Sequence, residues 1–371
     1  MTPLMLHESH ASLGAEFAEL SSAELVQHYG STEEEYRALT QTAGAIDLSF
    51  RTRLCLLGAD RKPFLHGQVT QQVKELGVGQ GAYATLLTAK GKIQSDLWIY
   101  CLQDELLLDC EPGLTGLVTQ RLEKYIIAED VQVVDVAALF GHLSVQGPRS
   151  IEALQSLGVS PALPQSAGAF IHDASSVWGD LYVMCQPRWG GVGFDLFAPT
   201  AELSSLWSAV VKATRDVGGR PVGWQAMECA RVEAAIPRFG IDMDETNLPP
   251  EAGLESRAVH YAKGCYIGQE VIARIRTYGQ VSKALRGLRL DPGAQVLPKR
   301  GDKVYWGDRE IGYVTSAIAS PTLKTNVALS YLRREHNQVG DAVVIRADGG
   351  DIPATVATLP FQPFSPLDPR S

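Results

Sequence analysis

Apolar side chains recur at helical spacing between residues 203 and 217. Leu203, Leu206, Trp207, Val210 and Val211 fall on one face at a period near 3.6, which predicts an amphipathic helix. Elsewhere the apolar residues come in short runs bounded by glycine and proline, the pattern of strands. Arg53 to Leu57, closed by Gly58, reads as a buried strand. Tyr83–Thr88, Ile93–Tyr100 and Leu106–Cys110 read as three more, with turns at Lys90-Gly91-Lys92 and Pro112-Gly113. Together they predict an antiparallel meander. Ala59–Val73 suits a short helix entered through Pro63, and Thr115 to about Tyr125 another.

A second unit of similar layout follows. Leu181–Cys185 and Gly193–Ala198 are its strand candidates, followed by a helix at Leu203–Val217; Val131–Val136 and Leu143–Pro148 are strand candidates that precede it. From Lys283 the texture changes to short strands with glycine turns: Ala284–Leu290, Lys303–Trp306, Ile311–Ala317, Asn326–Tyr331, Ala342–Arg346 and Ile352–Thr358. That density predicts a small β-barrel. Residues 1–45 read as helical and polar, with Thr32 and Glu35 at capping-box offset before a helix through Tyr36 and Leu39. The tail from Pro360, with Pro363, Pro366 and Pro369, is expected to be extended. The fold class is therefore α+β: two related α+β lobes, residues 1–145 and 146–282, and a C-terminal antiparallel β-barrel, residues 283–371.

Length supports this division, because 371 residues exceed what one core usually holds. The net charge of -9 argues against a general nucleic-acid binder. No basic leader opens the chain and no apolar run is long enough to span a bilayer, so a cytoplasmic protein without a membrane partner is expected. The six cysteines form no Cys-x-x-Cys pair, which argues against structural zinc and a disulfide framework. Gly77, Gly79 and Gly81 lead into a strand rather than a helix, so they are no phosphate loop. Asp242–Gly253 resembles a calcium loop but lacks glycine at its sixth place and an acid at its twelfth. No metal site is expected.

The densest chemistry lies in Lys263-Gly264-Cys265-Tyr266-Ile267-Gly268-Gln269-Glu270. Glycines predict a tight turn around Cys265. Lys263, and Arg274 beyond, are cations that favour a thiolate, the nucleophilic form of cysteine. This octet resembles the signature of the YgfZ family of folate-binding proteins, a branch of the superfamily of the glycine cleavage T-protein, an aminomethyltransferase. Gly44–Ser49, Leu143–Pro148, Arg231–Ala234 and Gly312–Ala317 with Ser320-Pro321 are similar to that superfamily's other short elements, in the same order.

The resemblance implies two lobes and a barrel in a ring around a central folate site, with the octet on the second lobe. It implies tetrahydrofolate or a related folate as cofactor. Asp96 matches the aspartate placed near the reactive folate nitrogen, and Asp195 the acid that binds the pterin. Arg231 matches a cation facing the folate's carboxylate tail or supporting the pterin site. Tyr83, Trp98, Trp189 and Trp224 are candidate walls for the flat ring. Cys265, Asp96 and Lys263 are thus the candidate catalytic residues, and Asp195, Arg231, Tyr83, Gln269 and Glu270 the candidate folate contacts. The octet implies an accessory protein that supports iron–sulfur cluster assembly, with assembly factors or client enzymes as partners and an indirect link to tRNA modification. The alternative is a folate-dependent aminomethyltransferase, and a folate-dependent demethylase is a third reading.

Overall fold

The computed structural model describes residues 1–159, 162–294 and 296–362; the tail from Pro363 onward lies outside the described residues. Two sheet-rich lobes and a closed barrel account for the chain. The first lobe holds a five-stranded antiparallel sheet, in the order Gln80–Leu87, Ile93–Cys101, Leu106–Cys110, Thr52–Leu57, Gln132–Asp135. The meander expected from Tyr83 to Cys110 forms its first three strands.

Strand alternation divides the labour within this sheet. In Ile93–Cys101 the odd positions Leu97, Ile99 and Cys101 join a core with Leu54, Leu56 and Leu108, covered by Phe64, Leu65, Val118 and Leu122 of two helices. The even positions Asp96 and Trp98 are only part-buried and point to the other side, whereas Gln94, at a break in the strand register, accepts from Arg121 of the covering helix at 2.9 Å. Polar chemistry is thereby displayed on a face whose reverse is sealed by an apolar core.

The second lobe holds a six-stranded sheet, in the order Phe170–Asp173, Leu181–Cys185, Gly193–Pro199, Phe140–Gln146, Gly44–Asp47, Arg220–Pro221. Its helix Leu203–Asp216 buries the stripe seen in the sequence, with Leu206, Trp207 and Val210 in the core. Gly44–Asp47 pairs directly with Phe140–Gln146. The five-stranded lobe is thus inserted between two neighbouring strands of the other sheet. The barrel closes in the order Lys283–Leu290, Thr325–Arg333, Arg309–Ser320, Lys303–Trp306, Ala342–Ala347, Gly350–Ala357, all antiparallel. Among the described residues no helix is long and apolar enough to cross a membrane.

The N-terminal segment departs from the helical reading. Glu16–Leu20 and Ala23–His28 form an antiparallel hairpin, turned by Ser21 and Ser22 at φ 52° and 65°. Two successive residues with positive φ suit a tight hairpin, but serine is not the usual residue there. The capping box is also rearranged. Ser31, not Thr32, caps the helix Thr32–Gln41, accepting the Glu34 N–H at 3.3 Å. Glu35 turns inward and accepts from the Tyr29 and Gly223 backbone at 2.7 and 2.8 Å.

Candidate functional site

A cleft opens where the even face of Ile93–Cys101 meets the loop after Leu181–Cys185, the helix Trp224–Glu233 and the short helix Glu255–Ala258. Tyr83, Asp96 and Trp98 line it from the first lobe, and Gln186, Arg188 and Trp189 from the second. Tyr83 stands opposite Trp98 across the strand pair, so its hydroxyl reaches diagonally to Asp96 and donates to Oδ2 at 2.7 Å. Asp96 Oδ1 is buried with no partner. Burial and then the charge of Glu111 push the Asp96 pKa up to about 6. One oxygen is fixed and the other has no partner, the arrangement of a carboxylate able to hold or accept a proton near neutral pH.

Asp195 is fully buried and is not part of the lining. Its carboxylate accepts from Ser144 Oγ at 2.7 Å and from Arg188 Nε at 3.1 and 3.0 Å, and lies 3.1 Å from His142 Nε2. Burial raises its pKa, but Arg188 and His142 outweigh burial and hold it below the ordinary value. The acceptor contact expected of Asp195 is therefore not offered to the cleft: its oxygens are taken by Ser144 and by Arg188, a donor that lines the cleft and also donates to Asp109 at 2.8 Å.

Arg231 lines the cleft, but its guanidinium has no donor to spare. Nε and Nη2 donate to Glu228 at 2.8 and 2.6 Å, and Nη1 to Asp242 at 2.6 Å and Ile236 O at 3.2 Å. Nη2 also donates to Ser316 Oγ of the barrel at 2.9 Å. Five N–H groups meet five acceptors, so the expected contact with a substrate carboxylate is replaced by a structural one.

The octet lies away from the cleft: Lys263, Cys265, Gln269 and Glu270 are absent from its lining. Lys263 is buried, and its ammonium donates to His66 O and, at 2.6 Å, to Val69 O, at the C-terminal end of the helix Arg61–Gln68. Burial and then Lys74 lower its pKa to about 7. The ammonium is thus committed to a helix end, where cations are favourable, rather than to Cys265. Gly268 has φ 86°, and a Cβ there would lie 2.6 Å from Thr88 O, so only glycine fits against the first lobe. Cys265 is exposed. Glu270 is exposed and pairs with Arg274 at 2.8 Å, four residues along the helix Gln269–Tyr278, whose first residue is Gln269. The octet clips its own segment onto the first lobe.

Asp109, Glu111, Gln186, Arg188, Arg238 and Arg257, all in the cleft, were not among the residues singled out from the sequence. Asp109 had a signal, a charge inside the apolar run Leu106–Cys110. Arg188 and Arg257 had none, because their roles depend on partners distant in sequence.

Residues 6–263 match the GCVT N-terminal domain, and residues 283–362 match the glycine cleavage T-protein C-terminal barrel domain. An aminomethyltransferase of Symbiobacterium thermophilum is 29% identical, with 96% of each chain covered. That of Halalkalibacterium halodurans is 28% identical, with 97% of each covered. The crystal structure of the glycine cleavage system aminomethyltransferase T from Bartonella henselae superposes with a TM-score of 0.88 at 22% identity, covering 98% of each chain, which shows a shared fold. These relatives carry the transferase name over nearly the whole chain. That overturns the expectation of an iron–sulfur accessory protein, and the assembly-factor partners and tRNA link inferred with it have no support.

Proposed function

Because the chain belongs to the glycine cleavage T-protein family, we propose that it is a tetrahydrofolate-dependent aminomethyltransferase. Aminomethyltransferases of this family use tetrahydrofolate as substrate or cofactor. The observation that carries the reading is Asp96, held by Tyr83 through one oxygen and unpartnered at the other, inside an aromatic-walled cleft. The cleft suits a flat heterocycle rich in N–H donors. Tyr83, Trp98, Trp189 and Trp224 are its aromatic lining. Gln186 Oε1 is a second buried acceptor without a partner, and Gln186 also lines the cleft.

In this reading Asp96 orients a folate amine and takes up its proton as the amine bonds to the aminomethyl carbon. That carbon bonds in turn to a second folate nitrogen and gives up its bonds to the carrier sulfur and to its own amino nitrogen, and the two protons shed by folate leave on those two groups, releasing ammonia and the free thiol. Arg188 and Gln186 position the ring. The likeness to the YgfZ branch rests on the octet, whose role here is the clip. The six unpaired cysteines support a reducing, cytoplasmic setting. The test is folate-dependent ammonia release from an aminomethyl-lipoyl donor by the purified protein, lost in Asp96→Asn. Absence of that release in the wild type, with the donor shown to be competent, overturns the proposal.

A further inference from the structure

The charges lining the cleft pair off almost completely. Arg51 is held by Asp109 and Glu111, and Arg188 by Asp109 and Asp195. Arg231 is held by Glu228 and Asp242, and Arg238 by Glu111 and Glu228. Two groups stand outside this network. Among the described residues Arg257 is the lining arginine with no ion pair and no side-chain hydrogen bond, and Asp96 the lining acid with no ion pair. One phenol touches both. Tyr83 donates to Asp96, and the Arg257 guanidinium carbon lies 5.3 Å from the centre of the Tyr83 ring.

An unpaired cation and an unpaired carboxylate on one phenol describe the complement of the occupant. It carries an amine toward Asp96 and an anion toward Arg257. We propose that Arg257 is the residue that binds a carboxylate of the folate's glutamyl tail, the role that Arg231 is not free to take. This rests on the folate-dependent reading above and names the part of the substrate that this end of the cleft recognises. A guanidinium suits that role, because its planar fork matches a carboxylate and a ring face beneath it limits its freedom. Helix Glu255–Ala258 is anchored through its backbone, with Arg257 N–H on Leu254 O at 3.1 Å and Gln71 Nε2 on Arg257 O at 3.3 Å. The side chain is therefore set in place without using its own donors.

The test is calorimetric titration of the full chain with tetrahydrofolate and with its bis(methylamide), in which both glutamyl carboxylates are neutral. Wild type is expected to bind the acid about tenfold or more tightly than the amide, the scale of a charge-assisted hydrogen bond. Arg257→Gln is expected to erase that preference while leaving amide affinity unchanged, and Arg257→Lys to keep part of it. If wild type binds both ligands equally, the assignment of Arg257 is overturned and the folate reading stands. If Arg257→Gln, with its melting curve intact, weakens both ligands alike, Arg257 has a structural role and the assignment again fails. If wild type binds neither ligand, the folate reading falls and the assignment with it.

Discussion

Arg231 Nη1 donates to Asp242 Oδ2 at 2.6 Å, and Asp242 Oδ1 accepts from Thr315 and Ser316 of the barrel at 2.6 and 2.7 Å. Asp242 is therefore one buried carboxylate that joins the barrel to the rest of the chain, beside Glu233, which accepts from Ser320 of the barrel. Replacing Arg231 with alanine leaves Asp242 uncompensated and Glu228 with only Arg238. We expect Arg231→Ala to cost about 3–5 kcal/mol, the scale for breaking a buried pair from one side. Chemical denaturation checks this. A change under about 1 kcal/mol means the pair is not what holds the barrel.

Asp96→Asn keeps the shape of the side chain and removes its ability to accept a proton. Turnover is expected to fall about 10²–10⁴-fold, the range for general acid–base groups. Folate affinity should change far less. Steady-state kinetics beside calorimetry separate the two, and a loss confined to affinity contradicts the role.

The pH dependence follows from the same residue. With the Asp96 pKa raised to about 6, the proton-accepting form grows as pH rises through that value. Turnover should climb across a limb near pH 6 that is absent in Asp96→Asn. Stability runs the other way. The folded value lies above the ordinary 3.8, so the group's contribution is fully present below 3.8 and lost as pH rises through about 6. At about pH 8, Asp96→Asn is expected to be more stable than wild type by about 1–3 kcal/mol, and the gap should close toward about pH 4. A gap that widens toward acid pH means burial is not what raises Asp96.

Two substitutions in the octet should behave oppositely. Gly268→Ala places a Cβ against Thr88 O at a φ of 86° and is expected to destabilise by about 1–3 kcal/mol. Cys265→Ser changes an exposed side chain and should leave stability and transferase turnover within about twofold, since surface changes rarely exceed about 0.5 kcal/mol. Thermal melts and the ammonia-release assay decide this. A turnover collapse in Cys265→Ser restores a chemical role to the thiol.

What the sequence disclosed followed the range of the interactions involved. The barrel strands and the Leu203–Asp216 stripe were legible because periodicity and turn residues are local signals. The hairpin at Glu16–His28 was not, because Ser21 and Ser22 carry its turn without the glycine or asparagine that marks one. Asp96 was legible through resemblance, and its environment was not. Its shift depends on burial and then on the charge of Glu111. Arg231 and Arg257 look alike in the chain. One is saturated and the other free, a difference made by Asp242, Ser316 and Glu228 for one and by nothing equivalent for the other among the described residues. The octet misled for a related reason. Lys263 and Gly268 carry strong local chemistry, but the atoms they meet, Val69 O and Thr88 O, belong to a distant part of the chain.

The pairing of Gly44–Asp47 with Phe140–Gln146 also sets an order of assembly. Everything the five-stranded sheet needs is present once Asp135 has been synthesised, whereas the six-stranded sheet must await Pro221. During synthesis the inserted lobe is free to fold first, and it brings its two ends together. That closure places Asp47 beside Leu143 and leaves a two-stranded template on which the later strands add. The wall bearing Asp96 thus exists before the Trp224–Glu233 helix and Arg257 arrive to face it. The nascent chain builds one side of its cleft as a finished surface and assembles the other against it.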